Sequence, residues 1–468
     1  MIGLKPATRA AYRLLHEGSL ALADVEANGM RLDIPRIKRT IEKTNNKINR
    51  MNESLRKQEI FKIWKKEFGD RAKLDSPEQL GHVVFNCLAY KATKFTATGK
   101  PKTDVAALEE VEIPFVRKYL EAKLLKKAVS TYLTGFLREQ VDGFLRAFIN
   151  IHDIITFRSS SDCPNLQNIP ARNPNIAALI RRCFIPRKGH VILDLDFKAV
   201  EVRVAACYTK DPVLLKYCRN PKSDMHKDMA MRLFLLSEGQ VTKPIRHSAK
   251  NNFVFAQFYG DYFLHCAKNL WESIHKNNLM LPNGRPLKKH LKSKGINWLG
   301  SQNAENDKHY IPAKDSFEHH VKKVEDWYWN TQYRVYTQWK DSWWKEYLRY
   351  GGFHTYTGFT VEGIFRRNQV LNSPIQGSAF HCCLWLIVKL NDWLKRKGMR
   401  SCIIAEVHDS LVLDVAEKEL EAVRFKVVEL LEQLQDEWKW IIVPLSVEAK
   451  ISEVNGNWSD QTDFDIAA

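Results

Sequence analysis

Two carboxylates, Asp196 and Asp409, each sit at the polar end of a strongly apolar run, HVILDLDF and SCIIAEVHDSLVLDV. Such runs read as buried strands. A buried strand tolerates a carboxylate only where something cationic meets it, so these two positions constrain the fold more than any other feature. In VILDLDF, Val191, Leu193 and Leu195 face one side, and Ile192, Asp194 and Asp196 the other. In EVHDSLVLDV, His408 and Asp409 fall at the turn of a hairpin. Either aspartate alone reads as a turn or edge residue. On adjacent strand ends the two can hold two divalent metal ions.

Between them lies RHSAKNNFVFAQFYG. Arg246 and Lys250 are i and i+4 and share one helix face, ahead of Phe253, Phe255, Phe258 and Tyr259. That face offers phosphate clamps beside stacking surfaces; a snorkelling helix with an aromatic core side has the same pattern. Paired carboxylates with a cationic helix make a nucleotidyl transferase site.

Charge points the same way. Lys and Arg number 72 against 54 Asp and Glu, a net +18, which favours a polyanion partner such as nucleic acid. Arg36 to Lys73 holds 13 basic and 5 acidic residues, and Lys268 to Lys323 holds 11 and 5. Each run can also be a solvated helix face. Thirteen Trp and 23 Phe argue against disorder. The nine Cys include no CxxC pair, which fits buried thiols in a reducing compartment rather than zinc. No apolar run is long enough to span a bilayer, and MIGLKPATRAAYRLL lacks a secretory pattern. A cytoplasmic protein is expected.

Helices are expected over 8–30, 34–66, 105–146 (in two or three segments), 224–237, 243–258, 317–350, 366–397 and 416–437. Strands are expected at 148–157, around the two aspartates, in a hairpin at 353–364 and in WIIVPLSVEA. The Trp and Tyr stripe of 317–350 reads as core packing.

ILDLDFKAVEVRV (192–204) resembles motif A of family A DNA polymerases, the DNA polymerase I class. In that motif a Glu stands five residues after the metal-binding Asp, and an Arg two further on; Asp196, Glu201 and Arg203 fit, and Asp194 does not. RHSAKNNFVFAQFYG resembles motif B, the nucleotide-binding helix, and EVHDSLVL resembles motif C. TFRSSSDCPNLQNIPAR (156–172), LNSPIQGSA (371–379), STYLTGFL (130–137) and LALADVEANGMRLD (20–33) are similar to further family segments, and all seven stand in family order.

The resemblance implies an α+β right-hand fold. An antiparallel-sheet palm would comprise about 1–33, 148–210 and 365–468, a helical thumb 34–147, and helical fingers 211–364 with a basic insertion near 268–316. That insertion would grip template or a replication partner protein, or be a solvated loop. Asp196 and Asp409, with the Phe197 backbone carbonyl, would bind two Mg²⁺. Arg246, Lys250 and His226 would neutralise the triphosphate of a dNTP. Glu201 would lie under the sugar and exclude a 2′-hydroxyl. Arg158, Asn372 and Gln376 would reach the minor groove of primer–template DNA, and His408 the primer terminus. A monomer is expected.

Two departures stand out. The family usually has an acid after His-Asp in motif C; here it is Ser410, which leaves a two-carboxylate site or weakens metal affinity. Lys250 to Tyr259 is also one residue longer than the family spacing, an excess that a π-bulge can absorb. Counting back from Tyr259 puts Phe255 at the nucleotide-stacking position and Tyr259 at the template side; counting forward from Lys250 puts Val254 and Phe258 there. The first register is preferred, because stacking needs an aromatic ring. Polymerase-like sequence begins by about residue 10, so no 3′–5′ exonuclease and no proofreading are expected, as would suit a bacteriophage enzyme. The rival readings are a single-subunit RNA polymerase, a non-catalytic nucleic-acid-binding protein and a two-metal nuclease.

Overall fold

The computed structural model describes residues 3–92, 94–96, 98–170, 173–220, 222–302 and 309–466. Its centre is a five-stranded antiparallel sheet in the order Gln461–Phe464, Val447–Ser452, His190–Phe197, Ser410–Ala416, Cys402–Val407. The two aspartate-bearing segments are direct neighbours, with Ser410 opposite Asp196 and Leu411 opposite Leu195. The expected alternation holds. Val191, Leu193 and Leu195 enter the main core, while Ile192 joins Ile404, Val412, Phe184 and Trp458 on the other face. Asp194 is made tolerable by partners: its carboxylate accepts from Ser410 Oγ at 2.6 Å and from Trp458 Nε1 at 3.1 Å.

The main core lies between this sheet and the helix Arg367–Arg396, which also packs on helices Arg9–Asn28, Val200–Thr209 and Leu420–Glu437. Gly18 permits the first of these contacts, since a Cβ there would lie 2.8 Å from Leu384 Cδ2. The hairpin Gly352–His354 and Phe359–Glu362 forms, and it gains an unforeseen third strand, Gly3–Pro6.

Residues 34–139 form a largely helical arm with its own small core of Leu55, Trp64, Leu80, Val83, Phe115 and Tyr119. Asp33 caps its first helix, accepting from Arg36 N at 2.9 Å. The single helix expected over 34–66 is two, Ile34–Arg56 and Glu59–Phe68. The break at Lys57 and Gln58 re-aims the second helix so that Trp64 is fully buried in the arm's core.

The two or three helical segments expected over 105–146 are Val105–Leu108, Pro114–Lys127 and Thr134–Glu139, and the chain then enters the short strand Phe144–Leu145. The strand expected over 148–157 is only Phe148–Asn150, because the following residues turn, with Phe157 N donating to Ile154 O at 2.9 Å. WIIVPLSVEA becomes strand only from Val447. Ahead of it Pro444 has no N–H to give a ladder, and its carbonyl accepts from the Arg203 guanidinium at 2.5 Å. The last strand, Gln461–Phe464, was not foreseen.

In the basic stretch 268–316, the described residues up to 302 are not a solvated loop. Its helices Phe263–Lys276 and Leu287–Ser293 bury Leu270, Ile274, Leu279, Leu281, Leu287 and Leu291 in the main core. The aromatic stripe after it is core packing, as expected, but the one helix expected over 317–350 is interrupted. Tyr328 and Tyr333 are buried in the π-turn region between Phe317–Trp327 and Arg334–Tyr350. Tyr336 and Tyr347 are buried on the second helix, and the tryptophans pack against the same core. No helix of the described residues is long and apolar enough to cross a membrane.

Candidate active site

A cavity of about 450 Å³ opens where the Asp196 strand ends, lined by Asp196, Phe197, Glu201, His226, Arg246, Lys250, Phe255, Tyr259, Asn372, Gln376 and Asp409. Residues separated by more than two hundred positions thus share one wall. Phe197 N donates to the Asp409 carbonyl at 3.2 Å, pinning the two strand ends together. Ala199 then takes a left-handed conformation, φ 48°, which turns the chain from strand into helix Val200–Thr209. That turn sets Glu201 in the helix's first turn, beside the metal-type carboxylates.

Burial pushes the Asp196 carboxyl up to about 6, helped by the charges of Asp409, Asp194 and Glu448 and opposed by Lys250. Asp409 is also raised by burial, with Arg158 opposing. Its Oδ1 is buried without a hydrogen-bond partner among the described residues. Two desolvated, mutually repelling carboxylates with an orphaned oxygen fit a divalent cation that prefers oxygen ligands. Ser410 supplies no third acid, since its hydroxyl is committed to Asp194.

The opposite wall is cationic. Arg246 Nε pairs with Asp224 at 2.6 Å. Burial is the largest single influence on the Asp224 carboxyl and raises it, but the hydrogen bonds from Arg246 and Lys227 N, together with the Arg246 charge, leave a net lowering. None of the ion pairs of the described residues includes Lys250, whose ammonium lies 5.2 Å from the Phe255 ring centroid. His226 departs from expectation. Burial, then Arg246 and Lys250, lower its pKa to about 4, so it is neutral near pH 7. It can donate a hydrogen bond to a phosphate but brings no charge to the cavity.

The spacing excess in 250–259 is absorbed as anticipated: Lys250–Val254 is a π-turn between helices Lys243–Ala249 and Phe255–Phe258. Val254 is fully buried. Phe255 and Tyr259 both face the cavity, and the Phe255 ring meets His226 edge-on at 5.6 Å. Phe258 reaches the cavity too, but packs against Tyr328, Trp329 and Tyr336.

Arg158 and His408 are absent from the cavity lining. The Arg158 guanidinium pairs with Glu201, rather than standing free to meet a groove. Tyr259 OH donates to the other Glu201 oxygen at 2.6 Å, and Asn372 Nδ2 donates to the Tyr259 carbonyl at 3.2 Å. Four expected site residues thus form one network. Arg158 is positioned by close packing: a Cβ on Gly377 would lie 2.9 Å from both Phe157 Cβ and Thr156 O. His408 is exposed at the hairpin tip with φ 61°. Partial desolvation of the ring by its neighbours, and then the nearby Arg158, lower its pKa.

Sequence reasoning missed Glu448, Tyr336, Asp224 and Glu406. Glu448 lies directly opposite Asp196 on the neighbouring strand and lines the cavity; the alternation of SVEAK was the available signal. Tyr336 lines it from the aromatic helix. Glu406 is buried beneath the hairpin, accepting from Ser159 Oγ at 2.7 Å and Gln167 Nε2 at 2.9 Å, and burial raises its carboxyl to about 8. No periodicity marks it as distinct from its apolar neighbours.

The family model for DNA polymerase family A matches residues 38–278 and 354–460, well over half of the chain. The chain belongs to this family. The stretch 279–353, including all of the aromatic segment 317–350, falls outside the match. The chain is 27% identical over 449 residues to a DNA polymerase of Bacillus phage SP01, covering 90% of this chain and 44% of that one. It is 28% identical over 440 residues to DNA polymerase I of Lactococcus lactis subsp. lactis strain IL1403, covering 93% and 45%. The thermostable DNA polymerase I of Thermus aquaticus is 28% identical over 456 residues, covering 93% and 47%. The chain therefore spans a little under half the length of these curated relatives. Among solved structures, the POL domain of Pol1 from M. smegmatis, in complex with DNA primer-template and dNTP, superposes with a TM-score of 0.72 at 22% identity, covering 96% of this chain and 70% of that one. That likeness supports the right-hand fold, with the antiparallel sheet as palm and helical thumb and fingers.

Proposed function

We propose that this chain is a template-directed, primer-dependent DNA polymerase that adds deoxynucleotides to a 3′-hydroxyl, with Mg²⁺ as the divalent ion. The observation that carries the proposal is the convergence of Asp196 and Asp409 on one cavity wall facing Arg246 and Lys250. Asp196 and Asp409 would hold two Mg²⁺, with the Phe197 carbonyl as a further oxygen ligand. Such a pair lowers the pKa of an attacking hydroxyl and balances charge on the leaving group.

The chain's own groups do the rest. Arg246 and Lys250 bind the triphosphate and neutralise charge as it develops. His226 donates a hydrogen bond to a phosphate oxygen. Phe255 offers a face on which the incoming base stacks, and Tyr259 stands toward the template. Glu201 occupies the space a ribose 2′-hydroxyl needs, and the Tyr259 hydroxyl keeps it there when Arg158 turns to the DNA. Asn372 and Gln376, from the long helix, and Arg158, once released from Glu201, read the minor groove, where base-edge acceptors are placed alike for all pairs. His408 contacts the primer end.

Membership of the DNA polymerase family disfavours the RNA polymerase reading. The test is extension of a primer–template by purified protein with each dNTP and each rNTP. Template-matched dNTP addition is expected, and preference for rNTP would overturn the reading.

A further inference from the structure

Far from the cavity, three side chains with different donor atoms meet on the helical arm. Glu67 stands in the last turn of helix Glu59–Phe68, His82 is the last residue of helix Pro77–His82, and Cys87 ends the π-turn Val83–Cys87. One donor atom from each, a carboxylate oxygen, an imidazole nitrogen and a thiol sulfur, all lie within 4.8 Å of one another. Among the described residues no other trio of His, Cys, Asp or Glu is so arranged. Glu67 and Cys87 sit at C-terminal helix ends, where the backbone carbonyls favour a cation.

We propose that Glu67, His82 and Cys87 form a binding site for a zinc-class divalent cation, with a fourth position open to water. The donor set is that of a borderline-soft ion; Mg²⁺ would not select a thiolate and an imidazole. A tetrahedral ion with bonds of about 2.0–2.3 Å needs donors about 3.3–3.8 Å apart. His82 Nε2 and Glu67 Oε1 are already at 2.9 Å. The sulfur needs to move by about an ångström, within reach of a side-chain rotation.

The backbone around the trio is fixed. Trp64, Leu80, Val83 and Val84 are fully buried beneath it, and Trp64 Nε1 donates to Gln79 Oε1 at 2.9 Å, tying the two helices. The other face of His82 is also held. Asn86 Nδ2 lies 3.3 Å from Nδ1, and Phe68 meets the ring edge-on at 5.4 Å. A turn of the Asn86 amide would present its oxygen to Nδ1–H and leave Nε2 free to ligate, the outer-shell support typical of metal-bound histidine. Cys87 and Glu67 are exposed, so an ion has a path from solvent.

This site is independent of the polymerase reading, and its test uses no activity measurement. The intact protein is alkylated with iodoacetamide with and without equimolar Zn²⁺, and each cysteine is followed by mass spectrometry. Cys163, the other exposed thiol, is the internal reference. Zn²⁺ is expected to slow alkylation of Cys87 by about tenfold or more relative to Cys163, and excess Mg²⁺ to do nothing. His82→Ala and the milder Glu67→Gln should each lose most of the protection. Equal Cys87 reactivity with and without Zn²⁺, or full protection in both variants, would overturn the proposal.

Discussion

Glu201 is held by two partners, and breaking that hold tests the site's architecture. The Arg158 and Glu201 side chains are 28% and 19% exposed, between surface and core. Exposed ion pairs contribute about 0–1 kcal/mol, and removing one partner of a fully buried pair costs about 3–5 kcal/mol. A coupling of about 2 kcal/mol is therefore expected in the double-mutant cycle of Arg158→Ala and Glu201→Ala.

Tyr259→Phe removes a hydroxyl donor to a carboxylate, a bond typically worth about 1.5–3 kcal/mol, less where water can replace it. Urea denaturation of the four cycle members and Tyr259→Phe measures both terms. The second readout is ribonucleotide incorporation, which should rise in Glu201→Ala, because truncation opens the space under the sugar. A coupling below about 0.5 kcal/mol, or a Glu201→Ala protein that still excludes ribonucleotides, would refute the reasoning.

Three further outcomes are expected. Lys250→Ala should lower kcat/KM for dNTP by about two to three orders of magnitude, since it removes a charge aimed at the phosphates; steady-state primer extension measures it, and a loss under fivefold would contradict the assignment. Phe255→Ala should raise the KM for dNTP, while Phe258→Ala should chiefly lower stability because its ring packs on Tyr328 and Trp329; the reverse pattern would favour the forward register. As pH falls through about 6, Asp196 takes up a proton, so Mg²⁺ affinity should weaken by up to about tenfold per further unit. The folded state binds this proton more tightly than the unfolded chain does. Its effect on stability therefore has the opposite sign, favouring folding as pH falls from about 6 toward the ordinary carboxylate range. Calorimetric Mg²⁺ titration across that window tests the first statement, and thermal melts of wild type against Asp196→Asn test the second.

What the sequence made legible follows from how local each signal was. The strand around Asp196 was readable because its alternation is enforced by two apolar cores, and only the carboxylates Asp194 and Asp196 break the pattern. The π-turn was readable because one surplus residue between Lys250 and Tyr259 had to go somewhere. Helix Arg367–Arg396 spans the expected 366–397 nearly end to end, despite Pro374 inside it. Pairings across long sequence separations were not readable. Nothing in Arg158 announces that it meets Glu201 rather than solvent. Nothing in the apolar run before Pro444 says that the side chains of Arg219 and Gln435, not a strand, take the carbonyls of Ile442 and Val443. The neutrality of His226 likewise depends on burial, and then on the cations Arg246 and Lys250, that only the fold brings about.

The central claim, that Asp196 and Asp409 form one metal-dependent centre for nucleotide addition, is tested most directly by single-turnover primer extension. Wild type, Asp196→Asn and Asp409→Asn are compared with Mg²⁺ and with EDTA, with primer–template binding measured alongside by fluorescence anisotropy. Each substitution should reduce extension by at least about a thousandfold while leaving DNA binding within a few-fold of wild type, and EDTA should abolish extension by wild type. Extension that persists in either variant, or that is indifferent to EDTA, would contradict it.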